Sequence, residues 1–312
     1  MGWPECSVAV LVPCHDEEGS VAQVVQSFRA ALPAADIYVY DNLSTDHTAE
    51  RAREAGAIVR SAPRPGKGSV VRRMFADVDA DVYVLVDGDN TYDAGAAPGM
   101  VKLLLDQELD MVVGKREAID GEDAAYRPGH YAGNRLFNRV LHVLFGSDFT
   151  DVLSGYRVMT RRFVKSFPAR SSGFEIETEI TAHAVDIDAP SAEVVTPYRA
   201  RADDSNSKLR TYRDGFRIFS STVRLFRDMR PLLFFSVLAF VLTCTAVGLA
   251  VPLLVEYAET GLVPRFPTAI LAAAIQIVAL VLFTCGIVLN SVCQFRRDAK
   301  RLTYLGIPRE LQ

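Results

Sequence analysis

The sequence predicts an α/β domain with a mostly parallel, doubly wound sheet, followed by two helices that cross a membrane. In the first half of the chain, short apolar runs alternate with segments of helical periodicity. Strands and helices that alternate in this way form mostly parallel sheets covered by helices. Beyond Pro231 the composition becomes strongly apolar, with two long segments that contain no charged side chain.

Five apolar runs are predicted strands, and the stretches between them include three predicted helices. The predicted strands are residues 7–12, 37–40, 57–60, 82–86 and 111–113. The predicted helices are residues 17–32, 48–55 and 100–105. Because ligands of such sheets bind at the carboxyl ends of the strands, the residues that follow each strand are the first candidates for a site.

Charge and cysteine content exclude two classes of partner. The formal net charge is −4 over 312 residues, so no global basic field favours binding of nucleic acid. The five cysteines form no CxxC pair, and no group of histidines and cysteines has the spacing of a zinc site. This cysteine usage fits a reduced, cytosolic setting.

The two charge-free segments are long enough to span a bilayer. We place the spans at residues 232–255 and 267–293, each longer than the ~20 residues that cross ~30 Å of hydrocarbon as a helix. The alternative is a pair of buried core helices, which would need a larger soluble shell than this chain has. Basic residues precede the first span and follow the second, so both ends of the pair are expected on the cytoplasmic side. The apolar run at residues 8–12 is too short for a signal peptide, and none is expected.

Composition divides the chain into four parts. They are a soluble domain at residues 1–205, a basic amphipathic segment at 206–230, a membrane hairpin at 231–295 and a cytoplasmic tail at 296–312. In the amphipathic segment, apolar residues recur at steps of three and four, and arginines follow one position later. This pattern suits the surface of an anionic membrane, and packing on the soluble domain is the alternative.

The strongest local signal is Asp87-Gly88-Asp89, directly after the fourth predicted strand. Two carboxylates separated by glycine can approach one hard cation, and Mg²⁺ or Mn²⁺ would complete its shell with diphosphate oxygens. Such a cation neutralises the charge that develops on a leaving nucleoside diphosphate. The alternative is an ordinary Asp-Gly turn, but the position after a strand of this domain favours the metal site.

Other loops carry further candidates. Asp41 follows the second strand and can bind a nucleoside, while Asp46 is expected to cap the next helix. Lys67, between two glycines, either reaches a phosphate or is solvated; its loop is not a P-loop, because no Ser or Thr follows the lysine directly. Glu175 and Glu179 share a helix face, where one can orient a basic group near an acceptor or simply face solvent.

Four segments, VLVPCHDEEGSV, YDNLSTDHT, RPGKGSVVR and LVDGDNTYD, resemble the N-terminal half of family 2 glycosyltransferases with a GT-A fold. The later segments DVLSGYRVMTRRF and SNSKL, followed by membrane spans, resemble the polyprenyl-phosphate branch, which includes dolichyl-phosphate mannose synthase and bacterial undecaprenyl-phosphate glucosyltransferases. The motifs arrive in the order of that branch and cover nearly the whole chain. The resemblance implies a Rossmann-like GT-A catalytic domain ahead of an interface helix and two transmembrane helices.

The resemblance also implies roles for the residues at matching positions. Residues implied for the nucleotide sugar are Pro13, Asp16, Glu17, Asp41, Asp87, Arg116 and Arg135, to which we add Lys67. Residues implied for the acceptor are Ser154, Arg157, Arg201 and Lys208. Asp87 and Asp89 are the implied ligands of Mg²⁺ or Mn²⁺. The catalytic set is Asp89, Asp151, Arg157 and Arg201.

The expected reaction is inverting transfer of a sugar from a nucleotide diphosphate sugar to polyprenyl phosphate. We expect UDP-glucose or a UDP-N-acetylhexosamine as donor and undecaprenyl or decaprenyl phosphate as acceptor, for modification of cell-envelope glycans at a bacterial inner membrane. A GDP-mannose-dependent mannose synthase and a non-catalytic, membrane-tethered nucleotide-binding scaffold are the alternatives, and a homo-oligomer is left open. A processive polysaccharide synthase is excluded, because its QxxRW motif needs a tryptophan and this chain has only Trp3.

Overall fold

The computed structural model describes residues 6–118, 149–169, 173, 175–199, 223–224 and 226–309. The chain forms two compact units, one made of Met1–Leu209 with Ala299–Gln312 and the other of Arg210–Asp298. The predictions for Arg135, Arg201 and Lys208, and for most of the amphipathic segment, fall outside the described residues.

The described part of the first unit contains a seven-stranded sheet with the order β3-β2-β1-β4-β6-β5-β7. The strands are β1 (Val8–Cys14), β2 (Asp36–Asp41), β3 (Ile58–Ser61), β4 (Val82–Leu85), β5 (Met111–Ala118), β6 (Arg157–Thr160) and β7 (Ser191–Tyr198). β1 is parallel to β2 and β4, β2 is parallel to β3, and β5 is parallel to β7. Only β6 runs antiparallel to its neighbours β4 and β5 in this sheet. The predicted, mostly parallel sheet is therefore confirmed.

Helices cover both faces of this sheet. They are α1 (Val21–Ala31), α2 (Thr48–Glu54), α3 (Lys67–Asp77), α4 (Ala97–Asp106), α5 (Arg161–Ser166) and α6 (Ile176–Ile187). Side chains alternate between the faces of a strand, and β1 shows the result. Val10 and Val12 join an apolar core with Phe28 of α1, whereas Leu11 joins a second core with Met74 of α3.

The five predicted strands and three predicted helices are present, with shifted ends. The sequence patterns do not predict α3, α5, β6 or β7. β6 is only four residues long and contains a buried arginine, so it lacks an apolar run. β7 lies at the edge of the sheet with half-buried side chains, and its sequence SAEVVTPY has no clear period of two.

The last residues of the chain belong to the first unit rather than to a separate tail. The Tyr304 hydroxyl donates a hydrogen bond to the buried carboxylate of Asp110. Arg162 donates to the same carboxylate, with Nε 2.7 Å from Oδ1 and Nη2 2.5 Å from Oδ2. The Lys300 ammonium lies 2.7 Å from Asp186 Oδ2 in α6. The segment that follows the second apolar span is thus tied to the sheet domain by charge-assisted hydrogen bonds.

The second unit contains two helices that are long and apolar enough to cross a membrane, α7 (Pro231–Thr260) and the larger part of α8 (Phe266–Leu305). Their large apolar side chains are exposed: Phe240 is 69% and Ile277 64% accessible. Lipid is the solvent in which such surfaces are stable. A Cβ at Gly286 would lie 2.8 Å from Cβ of Phe235, so this glycine lets the two helices approach closely.

Candidate active site

The carboxyl ends of β1, β2 and β4 bring four carboxylates around one buried thiol. Cys14 ends β1 and is 2% exposed. Its pKa is raised well above the ordinary value, first by burial and then by the negative charges of Glu17, Asp87, Asp41 and Asp89. These side chains come from three separate loops, as expected for the ligand edge of a parallel sheet. The thiol itself stays protonated and is a buried filler rather than a nucleophile.

The loops after β1 and β2 are locked together by hydrogen bonds. The Asp16 amide donates to Ser44 Oγ at 3.0 Å, and Asp16 Oδ1 accepts from the amide of Thr45 at 2.7 Å. The Glu17 amide donates to Thr48 Oγ1 at 2.8 Å, at the start of α2. Asp16 therefore holds the shape of the pocket wall, and its carboxylate already has partners within the protein.

Asp41 has a buried carboxylate oxygen that is open to a hydrogen bond from a ligand. It ends β2, and its Oδ1 atom is buried with no hydrogen-bond partner among the described residues. A buried carboxylate oxygen without a donor is costly, and the N–H or O–H groups of a nucleoside would satisfy it. The neighbouring Asn42 instead holds the loop after β3, donating to the carbonyls of Ala62 and Arg64 at 2.8 Å each.

The environment of Lys67 differs from both interpretations made from the sequence, a phosphate contact and a solvated lysine. The structure places its ammonium between the carboxylates of Asp87 and Glu177, neither free in solvent nor aimed at an open phosphate site. Burial opposes its charged form, but the two carboxylates outweigh this effect and hold the Lys67 pKa above the ordinary value. Glu177 was missed in the sequence. Its position among the buried residues Ile176, Ile180 and Thr181 of α6 was the available signal, since it lies on the inward face.

Asp89 is oriented from within its own loop. Its Oδ1 accepts hydrogen bonds from the Thr91 hydroxyl at 2.7 Å and from the Thr91 amide at 3.2 Å. A hard divalent cation fits the donor set of Asp87 and Asp89, which offers carboxylate oxygens only. Among the described residues, no group of three or more His, Cys, Asp or Glu side chains is placed to hold a metal. The remaining ligands would have to come from the substrate and water.

The loop before β6, whose motif was expected on the acceptor side, touches Asp87, which was expected on the donor side. A Cβ at Gly155 would lie 2.6 Å from Asp87 Oδ2, so only glycine lets this loop pass so close. The Gly155 amide donates to the Tyr92 hydroxyl at 2.9 Å. The ring centroids of Tyr92 and Tyr198 lie 5.2 Å apart. The motifs from the two halves of the domain thus meet at Asp87.

Asp151 is held by Arg116, the residue expected to face phosphates. Arg116 Nε lies 2.8 Å from Asp151 Oδ2, and Nη2 lies 2.7 Å from Oδ1. The hydrogen bonds to Asp151 hold the Arg116 pKa above its ordinary value. The Arg116 side chain is 33% exposed, so its outer edge remains accessible while Asp151 anchors the inner one.

The positions of Ser154 and Arg157 contradict the expectation that these side chains contact the acceptor. Both side chains are fully buried, at 0% exposure. Ser154 Oγ donates to the Gly114 carbonyl at 2.6 Å. Arg157 donates to the carbonyls of Ser154 at 3.0 Å and Val152 at 2.8 Å. These side chains shape the loop from inside, because they are fully buried and donate hydrogen bonds to backbone carbonyls, and a lipid phosphate cannot reach them.

The family model for glycosyl transferase family 2 matches residues 9–167, which is half of the chain and includes every strand-end loop described above. The chain belongs to glycosyl transferase family 2. This glycosyltransferase is 35% identical to Glycosyltransferase AglJ of Haloferax volcanii over 252 residues, covering 80% of this chain and 82% of that protein.

Other relatives of the glycosyltransferase agree with this assignment. A dolichyl-phosphate hexose transferase of Haloferax volcanii is 29% identical over 225 residues, covering 72% of this chain and 95% of that protein. In fold, the chain is similar to glucosyl-3-phosphoglycerate synthase of Mycobacterium tuberculosis, crystallised with Mn²⁺, UDP-glucose and phosphoglyceric acid. That match has a TM-score of 0.56 and 24% identity, and covers 70% of this chain and 79% of that one. The GT-A fold is therefore shown.

Proposed function

We propose that this glycosyltransferase moves a sugar from a nucleoside diphosphate sugar to polyprenyl phosphate, with inversion at the anomeric carbon. The observation that carries the proposal is the contact of Gly155 with Asp87, which joins the acceptor-side loop to the donor carboxylates in a chain with two apolar, span-length helices. A relative that bears the name dolichyl-phosphate hexose transferase, aligned over 72% of this chain, supports the lipid acceptor.

The donor would occupy the edge formed by the β1, β2 and β4 loops. Asp41 offers a buried oxygen to the nucleoside, and Asp87 and Asp89 would hold Mg²⁺ or Mn²⁺. When bound, the cation supplies positive charge that stabilises the leaving diphosphate. A fold relative crystallised with Mn²⁺ and UDP-glucose motivates the choice of a uridine donor.

The acceptor would approach past the loop that Asp151 and Arg116 hold. A phosphate monoester has a second pKa near ~6 and is already an anion at neutral pH, so it needs no general base. The task of the protein is to bring two anions together. Arg116 is the half-exposed cation of the described site, and Arg201 and Lys208 are proposed to add charge from the sequence next to the membrane.

Connectivity and charge support one orientation in the membrane. Residues on either side of the two apolar helices, Met1–Leu209 and Ala299–Gln312, belong to one unit. If both helices span, both of their outer ends lie on the side of that unit. Arginines before α7 and the basic residues at the end of α8 favour the cytoplasmic side, where nucleotide sugars are made.

A panel of labelled nucleotide sugars tests the proposal. The purified full chain in detergent would be incubated with undecaprenyl phosphate and UDP-glucose, a UDP-N-acetylhexosamine or GDP-mannose, with Mg²⁺ or Mn²⁺. We expect a labelled, organic-extractable product with one of the uridine donors and no product without lipid phosphate. Product with GDP-mannose alone would keep the reaction class and change the donor. Nucleotide binding without transfer from any donor would favour the non-catalytic scaffold.

A further inference from the structure

The ion cluster of Lys67, Asp87 and Glu177 is an unusual feature at a proposed cation site. The Lys67 side chain is 11% exposed and contacts both carboxylates; Glu177 is 5% and Asp87 27% exposed. A nearly buried ammonium therefore occupies one oxygen of a residue proposed to bind a dication. The cluster has one positive and two negative charges, so its net charge remains negative.

The backbone holds Lys67 in this position. Lys67 is the first residue of α3 and follows Gly66, whose φ of +104° favours glycine. The Gly66 amide donates to Asn42 Oδ1 at 2.8 Å, and the Gly68 amide donates to the Gly173 carbonyl at 3.1 Å. These hydrogen bonds fix the backbone on both sides of Lys67. Movement of the ammonium out of the cluster would then break its ion pairs with Asp87 and Glu177.

Both carboxylate oxygens of Asp87 have a close neighbour. Its Oδ1 faces the Lys67 ammonium, and its Oδ2 lies against Gly155, where even one added methyl group would come within 2.6 Å. A divalent cation at Asp87 would meet the positive charge of Lys67 at close range, in a site partly shielded from water where such repulsion is strong. An incoming diphosphate would offset this repulsion with its own negative charge.

We propose that Lys67, anchored by Glu177, competes with the divalent cation for Asp87, so that the cation binds together with the nucleoside diphosphate and only weakly before it. The proposal deepens the proposed function and rests on it, because it assigns an order of binding at the same site. Glu177 acts as a positioning residue, since it holds the ammonium and contacts no substrate itself.

Binding of Mn²⁺ measured by electron paramagnetic resonance tests the order directly, without turnover. The full chain in detergent is titrated with Mn²⁺ alone and again with UDP or with GDP, after correction for Mn²⁺ bound to free nucleotide. For the natural chain we expect at least ~10-fold tighter Mn²⁺ binding when the right nucleotide is present, which corresponds to ~1.4 kcal/mol.

Variants separate Lys67 from other causes. In Lys67→Gln/Glu177→Gln, the ammonium is gone and no carboxylate is left buried alone, so Mn²⁺ should bind without nucleotide at least ~10-fold more tightly than to the natural chain. Lys67→Arg keeps the charge and should keep weak binding. Lys102→Gln removes one exposed positive charge from α4 and is the matched control, with Mn²⁺ binding unchanged.

Three outcomes would each contradict a different part of the proposal. Equal Mn²⁺ affinity with and without nucleotide in the natural chain overturns the proposed order, even if no variant folds. A folded double variant, with a natural circular dichroism spectrum, that binds Mn²⁺ no better than the natural chain overturns the role of Lys67. Failure of the natural chain to bind Mn²⁺ with either nucleotide contradicts the metal site itself and the order with it, whereas the proposed transfer stands or falls by the panel of nucleotide sugars.

Discussion

Arg116 and Asp151 form a bidentate ion pair, with Arg116 Nε 2.8 Å from Asp151 Oδ2 and Arg116 Nη2 2.7 Å from Asp151 Oδ1. The Arg116 amide also donates to Oδ2, at 3.1 Å. Three hydrogen bonds therefore join β5 to the loop that reaches Asp87. This pair holds a partly exposed cation next to the loop before β6 and orients that loop at the same time.

The strength of this pair can be measured by a double-mutant cycle of Arg116→Ala and Asp151→Ala. We expect a coupling free energy of about 1.5–3 kcal/mol in thermal or chemical unfolding, because the hydrogen bonds are charge-assisted and Asp151 is largely buried. Arg116→Lys should not restore it, since lysine lacks the planar fork. The pair of Arg161 and Asp79 has similar geometry, but Asp79 is 64% exposed, so its cycle should give about 0–1 kcal/mol. Equal coupling in both pairs would contradict this account.

Loss of the proposed metal ligand should affect rate more than stability. Asp89→Asn keeps the size of the side chain and removes its charge, so we expect a decrease in kcat of at least ~10²-fold, as for loss of a principal electrostatic stabiliser. Excess EDTA should abolish activity of the natural chain, and Mn²⁺ should restore it. Asp106→Asn, at an exposed position of α4, is the control and should retain full activity. Full activity in EDTA would rule out metal-dependent transfer.

Substitutions of Arg157 and Arg201 should have different effects, although the sequence predicted acceptor binding for both residues. Arg157→Ala leaves the carbonyls of Val152 and Ser154 without their buried donor, each worth about 1–3 kcal/mol. We therefore expect a lower Tm and a lower kcat, without a selective change in the KM for lipid phosphate. Arg201→Ala should raise the KM for lipid phosphate and leave Tm unchanged. A selective increase of that KM in Arg157→Ala would return Arg157 to the acceptor site.

The proposed orientation predicts which introduced thiols react from outside the cell. Thr260→Cys lies at the end of α7, and Leu305→Cys lies at the end of α8, where the natural side chain is 69% exposed. In intact cells, a membrane-impermeant maleimide should add a label to the first variant only. After lysis, both should exceed the labelling of the parent chain. Labelling of Leu305→Cys alone in intact cells would reverse the orientation.

His183 should make the protein sensitive to mild acid. Burial, assisted by the charge of Lys300, lowers its pKa from 6.5 to about 3, so the folded chain binds fewer protons than the unfolded chain between these values. Stability contributed by neutral His183 is full above pH 6.5 and is lost as the pH falls towards 3, by up to ~1.4 kcal/mol per pH unit.

Urea unfolding of the full chain between pH 7 and pH 5 measures this loss. His183→Gln can keep the hydrogen bond to Ser166 Oγ, 3.0 Å from Nε2 in the natural chain, and should flatten the decline. His47→Gln is the exposed control. The carboxylate of Glu50 raises the pKa of His47, which is the opposite direction, so this change should not flatten the decline. An unchanged slope in His183→Gln would contradict the assignment.

The sequence by itself determined the sheet class, the loops that carry the site and the two span-length helices. These features depend on local periods of apolar residues and on polar residues that follow apolar runs, which neighbouring residues specify. Asp41, Asp87 and Asp89 were proposed in this way, because each follows a predicted strand whose apolar run is evident in the sequence.

Only the tertiary structure decided which charges face each other. Lys67 and Glu177 are 110 residues apart, and nothing local distinguishes a lysine between two carboxylates, one of them buried, from a solvated lysine. Arg157 resembles an acceptor ligand in its motif, but the antiparallel strand β6 turns its side chain into the core. The free energy of a charge depends on its burial and on partners brought from distant segments, so its role is set by the packing of the whole sheet domain.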